Sequence, residues 1–398
     1  MTRSFYGWWV VLAVFAVTLV GFGSAYTFGS FMAPLQKEFG VGRGTLSFVF
    51  GVAGFLYFTL GAITGPLADR FGTRPLVALG MALIGAGLIA ASLATSAIGA
   101  LSGYALGIGL GVGCAYVPAV TLIQRWFVRH RGLASGLGVS GIGVGTFTLP
   151  PLAQWLIEAY GWRAAYLALG LLTIGLGVVA TLLIRENPQT IGQFPDGDTR
   201  LADQAPKAGL SVGEAIRSAV FVRFYAGMLL VGVGAFIPFV HLVPFAADEG
   251  IPPARASMLL ALIGIGSTAG RFFLGSWADR IGRAKSFTLM CLGMGLTILW
   301  WSIAPGFWGL ALFALAFGIV YGGWVALAPA LVTDLFGAQH AGAIIGALYT
   351  SIAIGTLVGP GVAGIAYERL GSYLPAIWGA AILMLAGTAT LRKLSRSA

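Results

Sequence analysis

Long apolar runs separated by short polar joints set the architecture of this chain. Twelve runs, at 8–32, 44–66, 75–95, 99–124, 132–157, 163–184, 220–246, 256–277, 286–304, 307–332, 341–366 and 372–391, come near the ~20 residues that a helix needs to cross a hydrocarbon core. Between the sixth and seventh lies the one long polar stretch, 185–218, with Pro188, Pro195 and Pro206. Its end, Ser211-Val212-Gly213-Glu214, has capping-box spacing and predicts a short surface helix leading into the seventh run. The pattern predicts an all-α membrane protein: an N-terminal six-helix bundle over 1–184, a cytoplasmic linker over 185–218 and a C-terminal six-helix bundle over 219–398.

Composition agrees and removes alternatives. The chain is 58% hydrophobic and 9% charged, whereas a soluble domain is about a quarter charged. Its 61 glycines fit membrane helices that pack backbone to backbone through small residues. A net charge of +10 could suggest nucleic acid, but the basic residues sit in the joints, where topogenesis explains them. With the N-terminus inside, seventeen of the 23 Lys and Arg fall on the inner side and five on the outer, which predicts cytoplasmic termini in a cytoplasmic (inner) membrane. The run at 8–31 is too long for a signal-peptide core and lacks an A-x-A site, so a retained first span is expected. Cys114 and Cys291 both lie inside apolar runs, so neither a disulfide nor a metal site is expected, and no cofactor is implied.

The remaining basic residue is Arg271, inside the eighth run. All 13 acidic residues belong to joints, run ends or the linker. Arg271 therefore carries a charge near the middle of the membrane with no carboxylate in any span to meet it. A charge in that position is costly and marks function by default.

The two halves repeat. Gly65-Pro66-Leu67-Ala68-Asp69-Arg70-Phe71-Gly72-Thr73-Arg74 follows the second span, and Gly275-Ser276-Trp277-Ala278-Asp279-Arg280-Ile281-Gly282-Arg283 follows the eighth, 210 residues on. The fifth span opens with Gly132 and Gly136, and the eleventh with Gly342 and Gly346, each pair in G-x-x-x-G spacing. Parallel repeats of six spans are the plan of one transporter fold, with the site at midplane between the halves.

At these motifs the sequence resembles the major facilitator superfamily over its whole length. The resemblance implies that fold, with two pseudo-symmetric six-helix bundles, and a gating loop in which Asp69, Arg70, Asp279 and Arg280 latch helix ends in the outward-facing state. Within the superfamily the chain is similar to monocarboxylate transporters and the related oxalate/formate exchangers. Tyr6-Gly7-Trp8-Trp9-Val10-Val11 resembles the aromatic start of their first span, and Arg125-Trp126-Phe127 with Arg131-Gly132-Leu133-Ala134 their entry to span five. The stretch from His241 to Gly250 resembles the end of their span seven. Arg271 stands where that family keeps the arginine that holds the substrate carboxylate. The chain departs from the family in three places. Ser30 or Gly29 replaces the span-one lysine of the proton-coupled members, and Ser267 replaces their acid one turn before the arginine. In Tyr349-Thr350-Ser351-Ile352 the exchangers' lysine is absent.

Helix rise puts Arg271 roughly 12 Å in from the cytoplasmic side, Tyr116 roughly 13 Å, and Tyr321 and Trp324 roughly 20 and 15 Å. These four are the expected substrate-binding residues, a guanidinium to grip one carboxylate and phenols to add donors. Tyr57 and Tyr349 lie at similar depth. His241, near the outer end of span seven, reads either as an interfacial histidine or as a proton carrier. The expected function is secondary transport, not enzymatic catalysis. A small monocarboxylate such as lactate, pyruvate or acetate would cross by alternating access, coupled to a proton, in a monomer within the lipid bilayer. The alternatives are an organic-anion exchanger of the oxalate/formate type, or a drug/proton antiporter, which would be expected to hold an acid that this chain lacks. A sensor would need a signalling domain for which the linker leaves no room.

Overall fold

The computed structural model describes residues 5–197, 209–337 and 339–392, with the side chains at positions 69, 131, 275, 276 and 279 outside the description. Helices follow the apolar runs. The first span is α1 (Gly7–Tyr26) and α2 (Phe28–Phe39), broken at Thr27. Then come α3 (Arg43–Phe71), α4 (Thr73–Leu93), α5 (Ala97–Trp126) and α6 (Arg131–Leu183). After the linker helix α7 (Val212–Arg217), the seventh span is α8 (Ala219–Ala235) and α9 (Ile237–Asp248), broken at Phe236. The rest are α10 (Pro253–Ile281), α11 (Arg283–Trp301), α12 (Gly306–Phe336), α13 (Ala341–Leu370) and α14 (Leu374–Leu391).

Among the described residues eleven segments are long and apolar enough to cross a membrane, and the one within α6, Gly132–Leu183, counts twice. Gly161, at φ 83° and ψ 162°, is non-helical and reverses the chain there. The neighbours prove the reversal. Gly138 lies against Val14 and Gly145 against Gly23 on the way out. Beyond the turn Trp162 bonds Glu38, and the Leu183 carbonyl accepts from the Tyr6 hydroxyl, back at the face where the chain starts. This gives twelve crossings, as the sequence predicts. The joints at 40–42, 249–252 and 371–373 lie on the opposite, distal face.

The internal repeat is visible in the backbone. Gly72 (φ 88°) ends α3 and Gly282 (φ 93°) ends α10, each donating its N–H to the carbonyl four residues back. Only glycine takes that φ without strain, which is why both motifs carry one there. Asp69–Arg70 and Asp279–Arg280 are therefore the last turns of helices, not loop residues: each helix continues until its glycine stops it.

The glycines around Arg271 set how close its helix comes to α12. A Cβ at Gly270 would overlap the Ile319 carbonyl, and one at Gly322 the Ser267 carbonyl. The two backbones touch, so Arg271 and the aromatic residues of α12 share one wall.

The linker is moored at both ends. The Asp196 carboxylate accepts the backbone N–H groups of Val128, Arg129 and His130 at 2.7–3.2 Å, ahead of α6. Burial favours the neutral acid, but these backbone bonds outweigh it and hold the Asp196 carboxyl below its ordinary range. At the other end the Leu210 N–H bonds the Phe336 carbonyl, and the expected capping box of Ser211 and Glu214 forms.

Candidate substrate site

One cavity collects the charged residue and its expected partners. Phe22, Tyr26, Phe58, Tyr116 and Ile142 line it from the first six spans. The last six contribute Met228 and Phe236 from span seven, Arg271 from α10, Tyr321, Trp324, Val325 and Ala328 from α12, and Tyr349 and Ile352 from α13. It encloses about 430 Å³ of empty space, open solvent included. Arg271, Tyr116, Tyr321 and Trp324 are thus all brought together. Tyr349 joins them, while Tyr57 stands behind, edge-on against Phe22.

Arg271 is 6% exposed, and its Nε and both terminal nitrogens have no hydrogen-bond partner among the described residues. Five donors in a planar fork face a wall of aromatic rings. A buried guanidinium without a partner costs several kcal/mol, and an anion in the cavity would relieve it. The phenols of Tyr321, Tyr116 and Tyr26 are within its electrostatic reach. Trp324 Nε1 is also unpartnered. Ile352 lines the cavity as well.

Sequence reading passed over Tyr26. It closes α1 at the Thr27 break, stacks on Phe239 at 4.2 Å and shares a 3.2 Å hydroxyl–hydroxyl bond with Tyr321. That bond joins the halves over the site. The signal was available: Tyr26 and Phe236 flank the breaks of spans one and seven, and paired interruptions in corresponding spans point to a site. The apolar liners gave no such signal, since a phenylalanine in a span looks the same in a wall as in a core.

His241 is not exposed at the surface. It is fully buried in a distal seal between the halves. Its Nδ1 meets the Tyr373 hydroxyl at 3.1 Å, and its Nε2 faces the Pro360 carbonyl at 2.9 Å and Ser47 Oγ at 3.2 Å. Ser47 donates to the Arg43 carbonyl, and Tyr373 accepts from Arg43. With Nε2 facing two acceptors, the set fits a neutral ring carrying its proton on Nε2 and accepting at Nδ1 from Tyr373. His241 does not line the cavity.

Asp69 and Asp279, expected in the gating loop, lie outside the described side chains. Arg70 and Arg280 are exposed, and the Arg70 guanidinium lies 5.2 Å over the Phe71 ring. Two other acids hold helix ends at the face where the chain starts. Glu186 accepts from the Arg74 N–H and from Arg125, and Asp334 pairs with Arg283.

The model of the Major Facilitator Superfamily matches residues 14–249 and 224–397. Monocarboxylate transporter 13 of Bos taurus is 28% identical over 389 residues, covering 97% of this chain and 88% of its own. Monocarboxylate transporter 4 of Mus musculus is 29% identical over 360 residues, covering 89% and 76%. Among solved structures, a D-xylose–proton symporter superposes with a TM-score of 0.76 at 14% identity, over 98% of each chain. A bacterial homologue of the human lysosomal transporter Spinster, inward-facing and unoccupied, gives 0.68 at 17%, over 99% and 96%. At such identity the structures show the fold alone. With twelve crossings, a repeated motif and a family model spanning nearly its whole length, this chain belongs to the major facilitator superfamily and is a monocarboxylate transporter-like secondary transporter.

Proposed function

We propose that the chain carries a small monocarboxylate across the cytoplasmic membrane by alternating access, with both termini in the cytoplasm. The observation that carries this reading is the unpartnered Arg271 guanidinium in a cavity with no acid on its wall. One fork neutralises one carboxylate, and the phenols of Tyr116 and Tyr321 with the Trp324 indole complete the donors. The bundles 1–184 and 219–398 would rock about this site, with 185–218 joining them. In that orientation the distal seal is an external gate, shut here. Asp69, Arg70, Asp279 and Arg280 would latch the inner ends when that gate opens.

Proton symport is the finer part of the proposal. The seal holds a neutral His241, and a proton at Nδ1 would set two donors, that N–H and Arg43, against the Tyr373 hydroxyl. Protonation from outside would thereby loosen the gate as the anion arrives. The oxalate/formate exchanger reading lacks its second cation, because Ile352 occupies that wall. The test is uptake of labelled lactate, pyruvate and acetate into proteoliposomes, with and without an inward proton gradient. Saturable uptake is expected; uptake of cationic drugs without any carboxylate would overturn the reading.

A further inference from the structure

Arg271 accounts for one end of the occupant. The same cavity is lined by Phe22, Phe58 and Ile142 from one half and by Met228, Phe236 and Ile352 from the other. None of these six offers a hydrogen bond. The wall is also fixed in place by its own packing. Phe22 stands edge-on to Tyr116 at 4.9 Å and to Tyr57 at 5.5 Å. Phe58 stands edge-on to Phe236 at 5.7 Å and to Tyr349 at 5.9 Å. Such edge-to-face pairs add to what holds these rings in place.

We infer that the site selects monocarboxylates with an apolar tail, aryl or branched alkyl, over short polar acids. This rests on Arg271 as the carboxylate anchor. A hydroxyl pressed against this wall gives up its water and gains no partner. A methylene in the same place is worth about tenfold or more in affinity. The carbon next to the carboxylate is treated differently. The phenols of Tyr26, Tyr116 and Tyr321 line the same cavity as the guanidinium and could bond a 2-oxo or 2-hydroxy oxygen. A 2-oxo acid with a branched apolar tail satisfies both ends, whereas glycerate satisfies one.

The experiment uses the purified full-length protein, with binding measured by calorimetry and competition measured in proteoliposomes. The probes are phenylacetate, 4-methyl-2-oxopentanoate, lactate and glycerate. The first two are expected to bind about tenfold or more tighter than glycerate. Phe58→Asn, and the milder Ile352→Thr, are expected to narrow that ratio. Equal or tighter binding of glycerate or lactate overturns the inference and leaves the monocarboxylate reading standing. A preference that survives both substitutions unchanged overturns the assignment to this wall. Failure of all four to bind or cross removes the anchor reading, and the inference with it.

Discussion

Arg43 meets Asp248 through two parallel N–H···O bonds, of 2.5 and 2.8 Å, tying the first turn of α3 to the end of α9. The same guanidinium lies 4.2 Å over the Tyr367 ring and donates to the Tyr373 hydroxyl at 3.0 Å. Beside it the Gly44 N–H bonds Glu368 at 2.8 Å. Three elements of the second half thus grip one turn of the first, and the site is reached from the distal face only when they let go.

Asp248→Asn keeps the shape and removes the charge. The pair is partly exposed, so a loss of about 1–2 kcal/mol is expected, a shift of roughly 5- to 30-fold toward the distally open state. Phe239, buried and stacked on Tyr26, supplies the probe position. In a Cys114→Ser, Cys291→Ala background, Phe239→Cys should react with an impermeant maleimide faster by that factor when Asp248→Asn is added. An unchanged rate would show that the seal does not rest on this pair.

His241→Gln is expected to keep uptake but flatten its response to external pH. The charged and titratable groups around the ring are Arg43, Asp248, Tyr367, Glu368 and Tyr373, and Gln titrates in place of none of them. Uptake is measured at several external pH values, with His241→Ala alongside. A wild-type profile in both variants removes His241 from coupling.

Arg271→Lys retains a charge but not the fork. Losing one charge-assisted bond costs about 1.5–3 kcal/mol, so affinity should fall roughly 10- to 100-fold. Calorimetry on the purified variant measures it. Near wild-type affinity would reduce Arg271 to a bulk charge.

Ile352→Lys places a second cation on the wall. Wild type should discriminate strongly against oxalate and succinate, whose second charge would enter uncompensated at a cost of several kcal/mol. The variant should gain oxalate binding and lose affinity for monoanions. Comparable oxalate binding by the wild type would mean that the wall already meets a dianion.

Asp196→Asn tests the linker mooring. Asp196 has a positive φ of 58°, which asparagine tolerates, so the substitution removes charge without forcing the backbone. A carboxyl held low in the fold adds stability above its unfolded pKa and loses it as pH falls through the lower folded value. At neutral pH the variant should be about 1 kcal/mol less stable, a helix-cap loss, by thermal unfolding in detergent. The gap should close as the pH falls below the ordinary aspartate range. A gap independent of pH would mean that shape, not charge, does the capping.

Much of this was legible beforehand because membranes leave few options. Hydrocarbon forces apolar runs into helices, so the spans could be read from composition. The lack of any acid in the spans made Arg271 conspicuous, and helix rise placed Tyr116, Tyr321 and Trp324 near its level. What sequence does not encode locally is which residues meet across 200 positions of chain. His241 looks interfacial by depth, but its surroundings are Ser47, Pro360 and Tyr373 from three other segments. Asp69 and Asp279 looked like loop residues because a polar motif ends an apolar run, yet the helix outlasts the membrane until a glycine stops it.

If Arg271 anchors the carried anion as proposed, its bare guanidinium also bears on the rhythm of the cycle. A loaded carrier would turn over with its charge neutralised, whereas an unloaded one would pass through the closed form with a buried cation left unpartnered. The return of the empty protein would then be the slow leg. Anion waiting on the far side would spare the protein that leg, so on this proposal one-for-one swapping would outrun net flux even though no second cation builds an obligate exchanger.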